Sequence, residues 1–140
     1  MQVVLDMREK ELEERQMEMA KVLAALNSQR EKLQNIILAE EKNRDELEAL
    51  CTSENIDIAQ IESHREFGLK LINDEKNQER VILNTEAILK KKQEEVTKAH
   101  QKVEVLKKLK EKQEKEYYQE FLHSEMKEID DITSARFRLQ

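Results

Sequence analysis

The chain has 140 residues, 40% of them charged and 4% aromatic, and 25 basic against 31 acidic side chains leave a net charge of −6. So little bulky apolar material excludes a conventional globular core, and an acidic excess interspersed along the chain would repel nucleic acid. There is no proline and one glycine, so almost nothing obstructs continuous helix. Proline costs about 3 kcal/mol inside a helix and glycine about 1.

At the amino terminus Asp6 arrives before any signal-peptide apolar region can form. No capping residue precedes Gln2, which leaves open whether native residues stand upstream. From there Leu5, Leu12, Met19, Leu26, Leu33 and Leu47 share one heptad phase, interrupted by Glu40. This is a seam on one helix face, and ordered heptads argue against disorder, the competing reading of so charged a chain. The companion positions hold Val22, Ile36 and Leu50 but also Arg8, Arg15, Gln29 and Asn43, so a narrow, two-stranded contact is expected. The apolar runs Val22 to Leu26 and Ile36 to Ala39 are far shorter than the roughly 20 residues that cross a bilayer. A cytoplasmic protein without a transmembrane segment is expected.

The first helix is predicted over 2–51 and a turn over 52–57, where Thr52, Ser53, Glu54 and Asn55 compete for backbone hydrogen bonds. Cys51 is the only cysteine, so no intrachain disulfide can form, and it reads as a small apolar residue near the helix end. Asp57 and Gln60 resemble a capping box, which starts a second helix at 58 and carries it to 136. Its seam runs through Ile61, Gly68, Glu75, Ile82, Leu89, Val96, Val103, Lys110 and Tyr117, with Leu71, Ala99 and Leu106 as companions. Gly68, Asn73, Glu75, Asn77 and Gln78 leave open a kink or a short separate helix within 68–78. The fold expected is all-α: a long antiparallel two-helix coiled coil, with unequal arms and the carboxy-terminal one overhanging. Glu9, Glu11, Glu13, Glu14 and Glu18 are expected to meet Lys98, Lys102, Lys107, Lys108, Lys110 and Lys112 across the hairpin, selecting orientation more than adding stability.

Signals for chemistry are sparse. Neither His64, His100 nor His123 has a histidine or cysteine at helical ligand spacing, and Glu120 with His123 supplies a single Glu-x-x-His element where di-iron bundles need two. With Gly68 as the sole glycine a phosphate-binding loop cannot form, and two paired helices offer no dry pocket for catalysis. No enzyme, metal or cofactor is expected. The lysines from Lys90 to Lys115 read as a solvated or helix-pairing face, with an acidic protein surface as the functional alternative. Tyr117, Tyr118, Phe121 and Phe137 cluster late: core if the first helix reaches them, exposed apolar surface if the arm overhangs.

From Lys107 to Phe137 the chain resembles the carboxy-terminal signature of the flagellar export protein FliJ family. A lysine-rich segment with Leu109-Lys110-Glu111-Lys112-Gln113 precedes Tyr117, then come Lys127-Glu128-Ile129-Asp130-Asp131-Ile132 and Arg136-Phe137. The opening Val4-Leu5-Asp6-Met7-Arg8-Glu9 is also similar to the family's start. The resemblance implies a component of the bacterial flagellar type III export apparatus, folded like the central stalk of rotary ATPases and monomeric when free. It implies termini seated in the hexameric export ATPase (FliI), where the family promotes ring assembly and ATP hydrolysis. Contacts with the export gate protein FlhA and with export chaperones are implied too, the whole lying at the cytoplasmic face of the inner membrane through its partners. Ring contacts would involve Arg8, Lys108, Lys110, Gln113, Tyr117, Phe121, Arg136 and Phe137. Gate contacts would involve Gln34, Leu38, Phe67 and Leu71; aromatics that follow in some members fall near Glu41 and Asp45 here, which are acidic. A structural spacer or dimerisation rod without ATPase contact is the alternative.

Overall fold

The computed structural model describes residues 1–139 and consists of two long helices packed against each other as an antiparallel coiled coil. The helix α1 spans Gln2–Thr52 and α2 spans Ile58–Leu139. Between them, Thr52 Oγ1 donates to the Glu48 and Ala49 carbonyls at 3.1 and 3.2 Å, which satisfies end carbonyls of α1. Asp57 Oδ1 accepts from the backbone N–H groups of Ala59 and Gln60 at 3.0 and 3.4 Å, so the carboxylate half of the capping box starts α2. Cys51 is exposed. Across 68–78, where a break was left open, α2 is continuous.

Two compact units divide the chain. One pairs Met1–Glu14 with the residues from Thr97 onward, and its core is Leu5, Ala99 and Val103. The other is Arg15–Val96, with Leu26, Leu71 and Ile82 buried. In α1 the expected seam positions from Leu5 to Leu50 are all buried or half-buried, and in α2 the seam holds from Ile61 to Lys110.

Several seam layers in the Arg15–Val96 unit are polar. The Asn43 amide is buried: Nδ2 donates to the His64 carbonyl at 2.9 Å and Oδ1 lies 2.9 Å from His64 Nδ1. With Nδ2 committed to the carbonyl, Oδ1 is the acceptor and His64 Nδ1 carries the proton. Gly68 explains how the amide gets so close, because a Cβ there would stand 3.0 Å from Asn43 Nδ2. The chain's single glycine therefore lies where α1 reaches the backbone of α2. Two heptads away, the buried Gln78 donates from Nε2 to the Gln29 carbonyl at 2.9 Å.

Charges fix the pairing as well. Arg15 lies 3.4 Å from both Glu18 and Glu95, and Lys92 lies 3.2 Å from Glu18 and 3.6 Å from Glu95, closing a square across the helices. Lys92 holds the Glu18 carboxyl below its usual range and is itself pushed up by Glu18. The Glu18–Lys92 pair has the expected sense, acid on α1 and base on α2, but Arg15–Glu95 and Arg30–Glu86 run the opposite way. The reason is positional: Glu13, Glu14, Lys98, Lys108 and Lys112 occupy b, c and f positions of the heptad, which face away from the partner helix.

Glu40 is the costly seam position. Its Oε1 is buried without a hydrogen-bond partner. Desolvation foremost, then the Glu75 carboxyl of α2, push its pKa upward, with Glu79 adding to the rise and Arg44 opposing it. A carboxyl whose folded pKa is raised takes up its proton in the folded state first. Its destabilising effect is complete above the folded pKa and disappears as pH falls to the unfolded value.

Three outcomes follow. Asn43→Ala should lower stability by roughly 1–3 kcal/mol, since it strips buried groups of partners. Gly68→Ala should fail to gain the ~1 kcal/mol that helix propensity offers unless Asn43 is also alanine, a coupling that denaturant melts of the double-mutant cycle would expose. Glu40→Gln should raise the melting temperature at neutral pH. The gap to the unsubstituted protein should close as pH drops through the Glu40 titration, read by thermal melts between pH 4 and about 8.

Candidate functional site

Within the unit that contains both termini, the seam stops at Lys110, whose Nζ donates to Gln2 Oε1. Beyond it every described residue of α2 is exposed. This arm is held as helix by local terms: the Lys110–Glu114 pair at 4.0 Å and Arg136 and Arg138 in the last turn, where cations complement the helix dipole. The alternative left open for the aromatics is thereby resolved. Tyr117 is 74% exposed, Phe121 52% and Phe137 80%, so they are surface and contribute nothing to the hairpin core.

At the base of the arm, Val4 and Arg8 of α1 and Lys98, Gln101, Lys102, Val105 and Leu106 of α2 line an open groove of about 450 Å³. Its lining is apolar with cations at the rim. Arg8 is half-buried and bonded to Glu11 at 2.9 Å, Lys110 is half-buried, and Lys108, Gln113 and Arg136 are exposed. All eight residues expected at the ring thus fall in this unit, either at the base of the arm or along it.

The residues expected at the gate fall in the other unit and are not gathered on one surface. Gln34 and Leu38 occupy b and f positions on the outer face of α1. Phe67 is exposed on the flank of the seam, in a cleft with Ala39, Lys42 and His64. Leu71 is 6% exposed and belongs to the hairpin core, where the companion seam position puts it.

Sequence reasoning missed two features. The Asn43–His64–Gly68 clasp was signalled by a lone glycine at a seam position, but connecting it to Asn43 requires the register. Tyr118, Leu122, Met126, Ile129 and Ile132 were legible as apolar surface in the case of an overhanging arm, but that they share one stripe outside the seam phase, signalled by spacings of three and four residues, was missed. Among the described residues no group of three or more His, Cys, Asp or Glu is placed to hold a metal ion, and no helix is long and apolar enough to cross a membrane.

Fold and surface together define a class: a two-helix coiled coil that presents an unpaired apolar helical arm. Comparison with known families then gives the identity, since the family model described as "Flagellar FliJ protein" matches residues 1–140. The chain belongs to the FliJ family and is a component of the flagellar protein export system, which serves flagellum biogenesis and motility. No curated protein and no solved structure gives a significant match.

Replacing Tyr117 and Phe121 together by alanine should leave far-UV circular dichroism and the melting temperature unchanged, since neither is buried. Leu71→Ala should cost about 2 kcal/mol in a urea melt, at the low end for a buried leucine because two helices enclose it incompletely.

Proposed function

We propose that this chain is the central stalk of the flagellar export ATPase, with its paired termini and arm seated in the hexameric ring. The observation that carries this reading is the arm itself: aromatic and aliphatic side chains left open to solvent on an ordered helix, next to a groove with a basic rim. Monomeric proteins seldom expose such a contiguous set unless it meets a partner. In this reading Arg8, Lys108, Lys110 and Gln113 engage the ring at the base of the arm, and Tyr117, Phe121, Arg136 and Phe137 engage it further along.

A two-helix element lacks six-fold symmetry, so inside a hexamer it contacts successive subunits differently. That difference gives a physical route for promoting ring assembly and coupling hydrolysis to subunit order. Nucleotide chemistry belongs to the partner. The gate contact with FlhA is proposed to use two patches, Gln34 with Leu38 on the outer face of α1 and Phe67 on the flank of the seam, while Leu71 stays in the hairpin core. Export chaperones are further partners, and the chain, monomeric when free, is held at the inner membrane through them and the ring.

Phosphate release by the purified export ATPase, measured with and without micromolar amounts of the full chain, tests the reading. A several-fold rise is expected, reduced by the Tyr117→Ala/Phe121→Ala double substitution. Absence of both binding and stimulation would refute it.

A further inference from the structure

In the heptad frame of the seam, α2 beyond Lys110 places Gln113, Tyr117, Glu120, Ser124, Lys127, Asp131 and Ser134 at the positions that would face α1. All but Tyr117 are strongly polar. The apolar side chains have moved to positions that a two-stranded coil gives to solvent: Tyr118 and Ile132 fall at b, Leu122 and Ile129 at f, and Met126 at c. All of them are exposed. On a helix of 3.6 residues per turn they form one stripe, roughly a quarter of a turn or more from the side on which Val103 and Leu106 meet α1.

A stripe in this phase cannot continue the hairpin seam. If α1 were extended or slid along α2 it would meet Glu120, Ser124, Lys127 and Asp131, so the arm's partner comes from a different side. Charge narrows what that partner is. Glu128 and Asp130 flank the stripe, Glu125 lies within it at b, and Lys127 is the only cation from Gln119 to Asp131. Two copies of the chain paired through the stripe would set this acidic segment against itself, in either orientation, at a like-charge cost.

We propose that the arm docks as an amphipathic helix through Tyr118, Leu122, Met126, Ile129 and Ile132 into an apolar groove rimmed by basic side chains on the export ATPase ring. This rests on the stalk reading above and moves its centre of contact. Phe121 lies at the stripe's edge, and Tyr117 remains on the side of the old seam. Pairing of an acidic rim with a basic one would steer the encounter and make it salt-sensitive.

Binding of the full chain to the purified ATPase hexamer, followed by fluorescence anisotropy, tests the proposal. Leu122→Glu with Ile129→Glu should weaken binding at least tenfold, while Ser124→Glu, in the seam phase, should change it less than twofold. Glu128→Lys with Asp130→Lys should weaken it several-fold at low salt, with the difference shrinking at 0.5 M salt. Circular dichroism of every variant should match the parent, because the arm makes no contact with α1. If the parent chain binds and the Leu122/Ile129 variant binds equally well, the stripe proposal fails and the stalk reading stands. If the parent chain does not bind, the stalk reading fails and takes this partner with it. A dimer of the parent chain in light scattering that the Leu122/Ile129 variant abolishes would assign the stripe to a second copy and overturn the proposal.

Discussion

The pairing of α1 with α2 depends on the contact between the Asn43 amide and the backbone of α2 at His64, made possible by Gly68. Apolar seams in an antiparallel coil are nearly indifferent to a slip of one heptad, because leucine meets leucine again seven residues away. A buried amide is not indifferent. Displaced by a heptad, Asn43 would lose its two partners and, with no glycine elsewhere in the chain, would meet a Cβ. The Arg15–Glu18–Lys92–Glu95 square points to the same register, though exposed ion pairs of this kind contribute less to stability than to choice among alternatives.

Polar seam layers cost stability, and Glu40 is the clearest case: a carboxylate oxygen buried without a partner, opposite a second carboxyl. Burial of Leu26, Ile82 and Val103 outweighs such costs, at roughly 1.5–3 kcal/mol for each fully buried side chain. The hairpin is thus held by a modest apolar seam and made specific by its polar exceptions.

Most of the fold was legible because heptad phase is a local signal. Leu5 through Leu50 and Ile61 through Lys110 could be placed in seams from spacing alone, and Asp57 announced the start of α2 through its capping chemistry. What depended on register was not legible. Gly68 read as a weak helix former, since nothing in its neighbourhood names Asn43 as its partner. Segment charge misled for a related reason: Glu13 and Lys98 carry complementary signs but lie at heptad positions that cannot meet. Of the candidate site, the exposed state of Tyr117, Phe121 and Phe137 hinged on whether another helix packs on them, a tertiary fact. The stripe from Tyr118 to Ile132 was hidden by extending one heptad phase to Tyr117, past the point where the phase changes.

An isolated helix of the arm's length would be marginal in water, and this one has no tertiary contact to support it. Its anchoring to the hairpin changes that balance. Nucleating a helix carries a factor of about 10⁻³, equivalent to roughly 4 kcal/mol, whereas each further residue is close to neutral or favourable in a sequence rich in Glu, Lys, Gln and Leu. In the arm the nucleus already exists, since the residues before Lys110 are fixed as helix by packing on α1. The arm only propagates it, and Arg136 and Arg138 favour the far end. A partner that binds the arm therefore meets a preformed helical face and pays little ordering entropy, which leaves more of the apolar contact as net affinity. Packing of α1 on α2 at the base of the arm is thus what keeps the arm's helix ready to bind.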